Sequence, residues 1–206
     1  MGARISFVRH GQCTWNESGR VPGQGDPPLT GLGLTQARVA AEALADAGVT
    51  RLIASDLLRA RQTAAVLGEA LGLAPSADPA LREQDAGSLT GLVAADLRPE
   101  VPPAGVHPNE VRWGGGESVA DVHARLSEFF ARLRPAPTDH VVLVSHGLAI
   151  QVALAVLEGR GAREVRWDTL PNGGVRTVPW LTRQTRGPKA RPTREDGTTA
   201  GRERTS

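Results

Sequence analysis

Short apolar runs alternate along this chain with longer segments whose apolar residues recur at helical spacing, and that alternation restricts the fold more than any other feature. The run Ile5-Ser6-Phe7-Val8 reads as a strand over residues 3–8 and is followed by a Gly/Pro-rich loop to about residue 30. Thr30 then caps a helix carrying Leu34, Ala37, Ala41 and Leu44 on one face, and Gly48 ends it. Arg51 to Ala54 is a short buried strand, with Ser55 as the expected N-cap of a helix that aligns Leu57, Ala60, Ala64, Leu67 and Leu71 and closes at Gly72. Such β-loop-α repetition implies right-handed crossovers, because a right-twisted strand feeding a helix packs back onto its sheet only in that hand. The expected fold is α/β, a three-layer αβα arrangement with a mostly parallel central sheet and helices on both faces.

Residues 75 to 116 carry six prolines and only a short helical piece near 92–98, so they are expected to form loops over the open end of the sheet. Ser118 with Asp121 makes a capping box before the amphipathic series Val119, Val122, Leu126, Phe129, Phe130 and Leu133. A strand from His140 to Ser145, a helix from about 148 to 157 and a last strand near 174–179 complete a domain expected over residues 1–182. Residues 183–206 lack periodicity and apolar content, and read as a basic, disordered tail.

Composition matters here mainly through that tail. The chain has 206 residues and a formal charge of +2, with a pI near 9.4. Residues 183–206 hold a net +4, which leaves −2 for the preceding residues. The basic pI therefore belongs to the tail, and no nucleic-acid partner is expected. Cys13 is the only cysteine, which rules out an intrachain disulfide and suits a reducing cytoplasm. The first strand is expected almost at Met1, so no secretory leader is expected. The longest apolar stretch, Leu148 to Leu157, is broken by Gln151 and is too short to span a bilayer, so no membrane partner is expected.

Two of the strands end in the same way. Arg9-His10-Gly11 follows the first, and Ser145-His146-Gly147 follows the one before the last long helix. In open α/β sheets ligands bind beyond the carboxyl ends of the strands, so histidine and arginine at such ends can reach a bound anion. Further along stand Leu29-Thr30 with Gly33, Gln36 and Ala37, then Ser55, Leu57, Arg59, Ala60, Gln62, Thr63 and Ala64. Leu81-Arg82-Glu83, Gly87 and Gly115-Gly116-Glu117-Ser118 complete the series. In order and spacing the chain resembles branch 1 of the histidine phosphatase superfamily, the phosphoglycerate-mutase-like proteins, over residues 3–178.

The resemblance implies a phosphohistidine enzyme, and each residue's chemistry suits its part. Arg9 and Arg59 would clamp phosphoryl oxygens and stabilise charge as it redistributes. His10 would attack as a neutral imidazole, splitting one hard displacement into two. His146 would donate to a phosphoryl oxygen from its protonated form, favoured by the adjacent anion. Glu83 would protonate the leaving oxygen and later deprotonate water. Asp85 is its rival, two residues on. Asn16 and Gly147 join Arg9, Arg59 and His146 as expected substrate contacts. Some relatives carry Asp directly after the second histidine; Gly147 stands there instead, which points back to Glu83. Gln12 replaces the Glu of many relatives, and the segment Gln84 to Ser88 lacks an aromatic that often precedes its Gly.

Other chemistries fail against the sequence. A cysteine phosphatase needs C-x5-R, but Gly19 stands six residues after Cys13 and Arg20 is one step too far. No Cys/His cluster, H-E-x-x-H or G-x-x-x-x-G-K-[ST] is present, so no metal and no cofactor are expected. The reading is a phosphatase of a small phosphomonoester of the sugar, glycerate or nucleoside phosphate type, acting as a monomer or homodimer. A 2,3-bisphosphoglycerate-dependent phosphoglycerate mutase, an α-ribazole-phosphate phosphatase and a non-catalytic phosphate-binding scaffold are the alternatives. His107, His123 and His140 carry no motif and are expected to be exposed or structural, Arg61 to be a surface charge, and Glu117 to cap its helix.

Overall fold

The structure is a computed structural model that describes residues 2–98, 101–168 and 170–180. The expected tail from residue 183 lies outside the described residues. Five strands form one sheet in the order β3-β2-β4-β1-β5. β1 (Arg4–Arg9), β2 (Arg51–Ala54), β3 (Ser76–Ala77) and β4 (His140–Ser145) run parallel, and β5 (Val175–Pro179) closes the far edge antiparallel to β1. The central strands are buried on both faces, in keeping with their apolar runs, the one polar residue inside them, Ser6, being buried too.

Alternation along β1 and β4 feeds two cores. Ile5, Phe7, Val141 and Leu143 pack with α4 (Val119–Arg132) and α5 (Gly147–Leu157) on one face. Val8, Val142 and Val144 pack with α2 (Gly31–Leu44) and α3 (Leu58–Leu71) on the other. Alanines at 37, 40, 41, 60 and 64 fill that second core, so α2 and α3 lie close against the sheet and each other. Because the helices after β1 and β4 leave on opposite faces, a crevice opens between the carboxyl ends of these adjacent strands. At the other end, the buried His140 ring meets the Ser6 hydroxyl at 2.7 Å and the Ala47 carbonyl at 2.9 Å. It is a structural histidine.

Several boundaries move for local reasons. α2 stops at Leu44 rather than running to Gly48. α3 begins at Leu58, because the Leu58 N–H finds its cap in the Asp26 carboxylate from a distant loop. Ser55 instead accepts from the Leu57 N–H and makes a turn. The capping box of Ser118 and Asp121 forms as expected. Among the described residues between 79 and 115 the helical pieces are single 3-10 turns, at Pro79–Leu81, Gly87–Leu89, Ala94–Asp96, Pro108–Glu110 and Trp113–Gly115. The short helix α1 (Thr14–Glu17) starts the loop after β1.

That loop lies directly on the first turn of α2. A Cβ on Gly11 would stand 2.2 Å from the Gly33 carbonyl oxygen, and one on Gly33 would stand 2.1 Å from that of Gln12. Gln12 is held in place as well: its N–H donates to Gln36 Oε1 at 2.8 Å, and its side-chain oxygen accepts from Thr30 at 2.9 Å. Gly33→Ala is therefore expected to cost about 1–3 kcal/mol, since backbone must move to admit the methyl group. Gly31→Ala, where nothing lies within 4 Å, should change stability by less than about 1 kcal/mol. Urea midpoints of the two variants, compared at one pH, test the contrast.

Candidate active site

Strand register brings the two histidines together. Arg9 of β1 pairs with Ser145 of β4, and the His10 N–H donates to the Ser145 carbonyl at 3.0 Å. Each histidine is thus the first residue past its strand, and the two rings lie 5.0 Å apart with their planes tilted by 59°. His10 is only 3% exposed and His146 is fully buried.

Hydrogen bonds fix the tautomer of His10. A guanidinium can only donate, so the contact of Arg59 Nε with His10 Nε2 at 3.2 Å makes Nε2 the unprotonated nitrogen. The proton then sits on Nδ1, which donates to the Gly11 carbonyl at 2.7 Å. Burial, with Arg59 and Arg9 nearby, pushes the His10 pKa down to about 3 against the pull of the Gly11 hydrogen bond. The imidazole is neutral at ordinary pH, with a lone pair on Nε2.

Arg59, the second residue of α3, is 0% exposed. Its remaining donors reach the carbonyls of Gly25 at 2.7 Å and Gly23 at 2.8 Å. The loop between β1 and α2 is thereby wrapped around the guanidinium. Arg9 donates to the Leu170 carbonyl at 2.7 Å, while its buried Nε has no partner. Among the described residues neither arginine is in an ion pair. Burial lowers both pKa values and the charge of Glu83 opposes this, but a guanidinium stays protonated.

His146 follows β4 directly and occupies the N-cap position of α5. Neither ring nitrogen has a partner, and burial next to Arg59 and His10 pushes its pKa well below the ordinary value. Without a bound anion the surroundings of the ring favour its neutral form. Desolvation opposes its charge, and a bound dianion would act in the other direction.

Glu83 lies on an irregular segment that crosses the strand ends. Its carboxylate accepts from the N–H groups of Leu148 at 3.2 Å and Ala149 at 3.1 Å, satisfying donors in the first turn of α5. Asp85 turns away. Its carboxylate accepts from the Gly87 N–H at 2.9 Å, closing a local turn. Gly147 lies under Arg9, where a Cβ would come within 3.4 Å of the guanidinium carbon. Asn16 is less free than expected: its Oδ1 accepts from the Cys13 N–H at 3.2 Å and from Asn172 at 3.4 Å.

Supporting residues appear whose roles the sequence did not indicate. Thr63 accepts from the Gly11 N–H at 3.1 Å and donates to the Arg59 carbonyl at 2.8 Å, joining the loop of His10 to the helix of Arg59. Ser145 donates to the Leu81 carbonyl at 2.7 Å, tying the Glu83 segment to β4. Asn172 donates to the His10 carbonyl at 3.0 Å from a Pro-Asn-Gly turn, and that turn signal was readable in the sequence. Glu117 departs from its expected role. Rather than capping α4, it accepts from the Asp85 N–H at 3.0 Å and pairs with Arg125 at 2.8 Å. Trp15 lies against Gly25 and Gly91, joining the loop after β1 to the segment over the site.

Among the described residues no group of three His, Cys, Asp or Glu side chains could hold a metal ion. No helix there is long and apolar enough to cross a membrane.

A family model described as histidine phosphatase superfamily (branch 1) matches residues 5–189. The probable phosphoglycerate mutase GpmB of Yersinia pestis is 35% identical over 188 residues, covering 86% of this chain and 87% of that protein. A mycobacterial glucosyl-3-phosphoglycerate phosphatase solved with VO3 superposes with a TM-score of 0.75 at 34% identity, covering 84% of this chain and 90% of that one. TTHB049 from Thermus thermophilus gives a TM-score of 0.65 at 32% identity, covering 86% and 94% of the two chains. With both strand-end histidines and both arginines gathered at one crevice, and a match over nearly the whole domain, the chain belongs to the histidine phosphatase superfamily, branch 1.

Proposed function

We propose that the protein hydrolyses a small phosphomonoester through a phosphohistidine formed on His10. The observation that carries this reading is a pair of guanidinium groups beside a neutral imidazole, Arg59 fully buried and Arg9 half-buried, that lack carboxylate ion-pair partners among the described residues. A phosphoryl dianion supplies the missing charge. His10 Nε2 attacks phosphorus as the ester P–O bond breaks, and Glu83 in its acid form gives its proton to the departing oxygen. The Glu83 carboxylate then takes a proton from water, whose oxygen attacks phosphorus while the P–N bond breaks. Phosphate leaves, and His10 regains its lone pair. Throughout, the proton stays on Nδ1, hydrogen-bonded to the Gly11 carbonyl, and holds the ring in its reactive tautomer. His146, with two unpartnered nitrogens, donates to a phosphoryl oxygen as its charge grows.

Glu83 is preferred to Asp85 because its carboxylate sits at the first turn of α5, beside His146, whereas that of Asp85 closes the turn at Gly87. Gly147 leaves room for Arg9 at the same helix start, where backbone N–H groups favour an anion. Asn16 is retained as a substrate contact through its amide nitrogen. A second reading, phosphoglycerate mutase activity, is favoured by the likeness to GpmB. Against it stands the short cover: only residues 84–114 separate Glu83 from Gly115, which leaves water a route to the phosphoenzyme. The likeness to a glucosyl-3-phosphoglycerate phosphatase supports sugar and glycerate phosphates as the first substrates to assay.

With chelator present and no added metal, the protein is expected to turn over p-nitrophenyl phosphate and at least one sugar or glycerate phosphate. His10→Ala should lower kcat by about 10⁴-fold or more, and Arg59→Ala by about 100- to 1,000-fold. Glu83→Gln should lower kcat/KM for an alkyl phosphate by about 100-fold while sparing p-nitrophenyl phosphate, whose leaving group needs no proton. Interconversion of 3- and 2-phosphoglycerate faster than hydrolysis would favour the mutase reading instead.

Burial that makes His10 a neutral nucleophile also sets a pH dependence. His10 falls from an ordinary 6.5 to about 3 in the folded chain, and His146 moves in the same direction. Below the unfolded value the unfolded chain binds protons that the folded chain does not, so stability is complete above that value and falls toward the folded one. Urea midpoints should decline as pH drops below about 6.5, and His10→Asn should make that decline shallower.

A further inference from the structure

The carboxyl group of Glu83 has to be delivered to the leaving oxygen from a segment, Arg82 to Ala86, that has no helix or strand of its own. Arg82 is anchored by Asp56 at 2.6 Å and Gln24 donates to the Glu83 carbonyl at 3.3 Å, but the guanidinium that reaches most of the segment comes from α4. Arg125, on α4, donates through Nη1 to the Ala80 carbonyl at 2.8 Å and through Nη2 to the Glu83 carbonyl at 3.1 Å. The same guanidinium grips Glu117 with both edges, Nε to Oε1 at 2.8 Å and Nη2 to Oε2 at 3.0 Å. Glu117 in turn accepts from the Asp85 N–H at 3.0 Å and returns its own N–H to the Asp85 carbonyl at 2.9 Å. Gln84 adds a donation to the Glu117 carbonyl at 2.7 Å. The backbone on either side of Glu83 is therefore pinned at Ala80, Glu83 and Asp85 by a single ion pair.

We propose that Arg125, paired with Glu117, is a positioning residue that fixes the backbone of Glu83 so that only its side chain moves during proton transfer. The proposal rests on the reading of Glu83 as the proton donor. Arg125 itself is not a phosphate ligand, because its donors are committed to two carbonyls and a carboxylate that balances its charge. Its side chain is 19% exposed and that of Glu117 23%, so the pair is shielded enough to keep one geometry. Glu83 is then held at both ends, by Arg125 and Gln24 at its carbonyl and by the first turn of α5 at its carboxylate. A displacement of about 1 Å in a reacting group can lower a rate on the order of 100-fold. Lysine keeps the charge of Arg125 but cannot bridge two carbonyls and a carboxylate at once.

The full-length protein tests this with Arg125→Lys, Glu117→Gln, Glu83→Gln and the double variant Arg125→Lys/Glu83→Gln. The readouts are kcat/KM for an alkyl phosphate and for p-nitrophenyl phosphate, and inhibition by inorganic phosphate. Arg125→Lys should lower kcat/KM for the alkyl ester by about tenfold, a fraction of the full effect of the acid. It should leave p-nitrophenyl phosphate and phosphate inhibition nearly unchanged. In the Glu83→Gln background the same substitution should have no further effect. Glu117→Gln, which weakens the pair from the other side, should give the same pattern and covers the case in which Arg125→Lys folds poorly. Equal losses on both esters, or losses that multiply with Glu83→Gln, would overturn the positioning role. If Glu83→Gln alone does not discriminate between the esters, the acid assignment itself fails and the proposal falls with it.

Discussion

Everything at the strand ends is organised around a buried cation, Arg59, that makes no ion pair among the described residues. Taking a guanidinium out of water is costly unless its donors are used, and Arg59 meets that demand with two glycine carbonyls and the lone pair of His10. Carbonyl oxygens satisfy the donors but do not neutralise the charge. The positive field that remains is what depresses His10 and His146 beyond the effect of burial. A site built this way is complementary to a group carrying two negative charges and spread oxygens, more than to any neutral ligand. The same feature explains the shape of the loop after β1. It is tied to Arg59 through Gly23 and Gly25, to α3 through Asp26, and to α2 through the contact of Gly11 with Gly33.

Much of this is legible in the residues. The apolar run Val141–Val144 of β4, and that of β1 interrupted only by the small Ser6, identify central parallel strands, since a strand with one wet face would alternate. Two strands ending in His-Gly then have to bring their histidines to one edge of the sheet. The antiparallel edge strand β5 and the two-residue β3 are less legible, because neither strand direction nor pairing is encoded in so short a pattern. The start of α3 differs from the one expected at Ser55 because its actual cap, Asp26, is distant in sequence. The role of Glu117 differs for a similar reason. Its partners on the Asp85 segment and on α4 become neighbours only after the chain folds. Side chains that carry the reaction announce themselves by type, whereas those that position them are ordinary arginines, serines and threonines in ordinary company.

The cover over the site has a different character from the rest of the domain. It is a series of single turns linked by glycines, locked where Gly87 meets Gly114 and Gly116 too closely for any side chain. Its attachment to the loop after β1 runs through the bridge of Arg20 with Val93 and through Trp15 against Gly91. Segments of this kind move more readily than packed helices, because they contribute few apolar contacts to the core. On the proposed mechanism the cover has to admit substrate and later water, while Glu83 stays fixed beneath it by Arg125 and α5. Chemistry and access are thus carried by different parts of the same stretch of chain.

The central claim is that the phosphoryl group passes through His10. Acid-free rapid quenching with excess substrate, followed by mass spectrometry of the intact protein and its peptides, measures this directly. The account predicts a transient mass increase of one phosphoryl group, stable in base, labile in acid and confined to the peptide bearing His10. Turnover without any such adduct, or an adduct on a different residue, would contradict it.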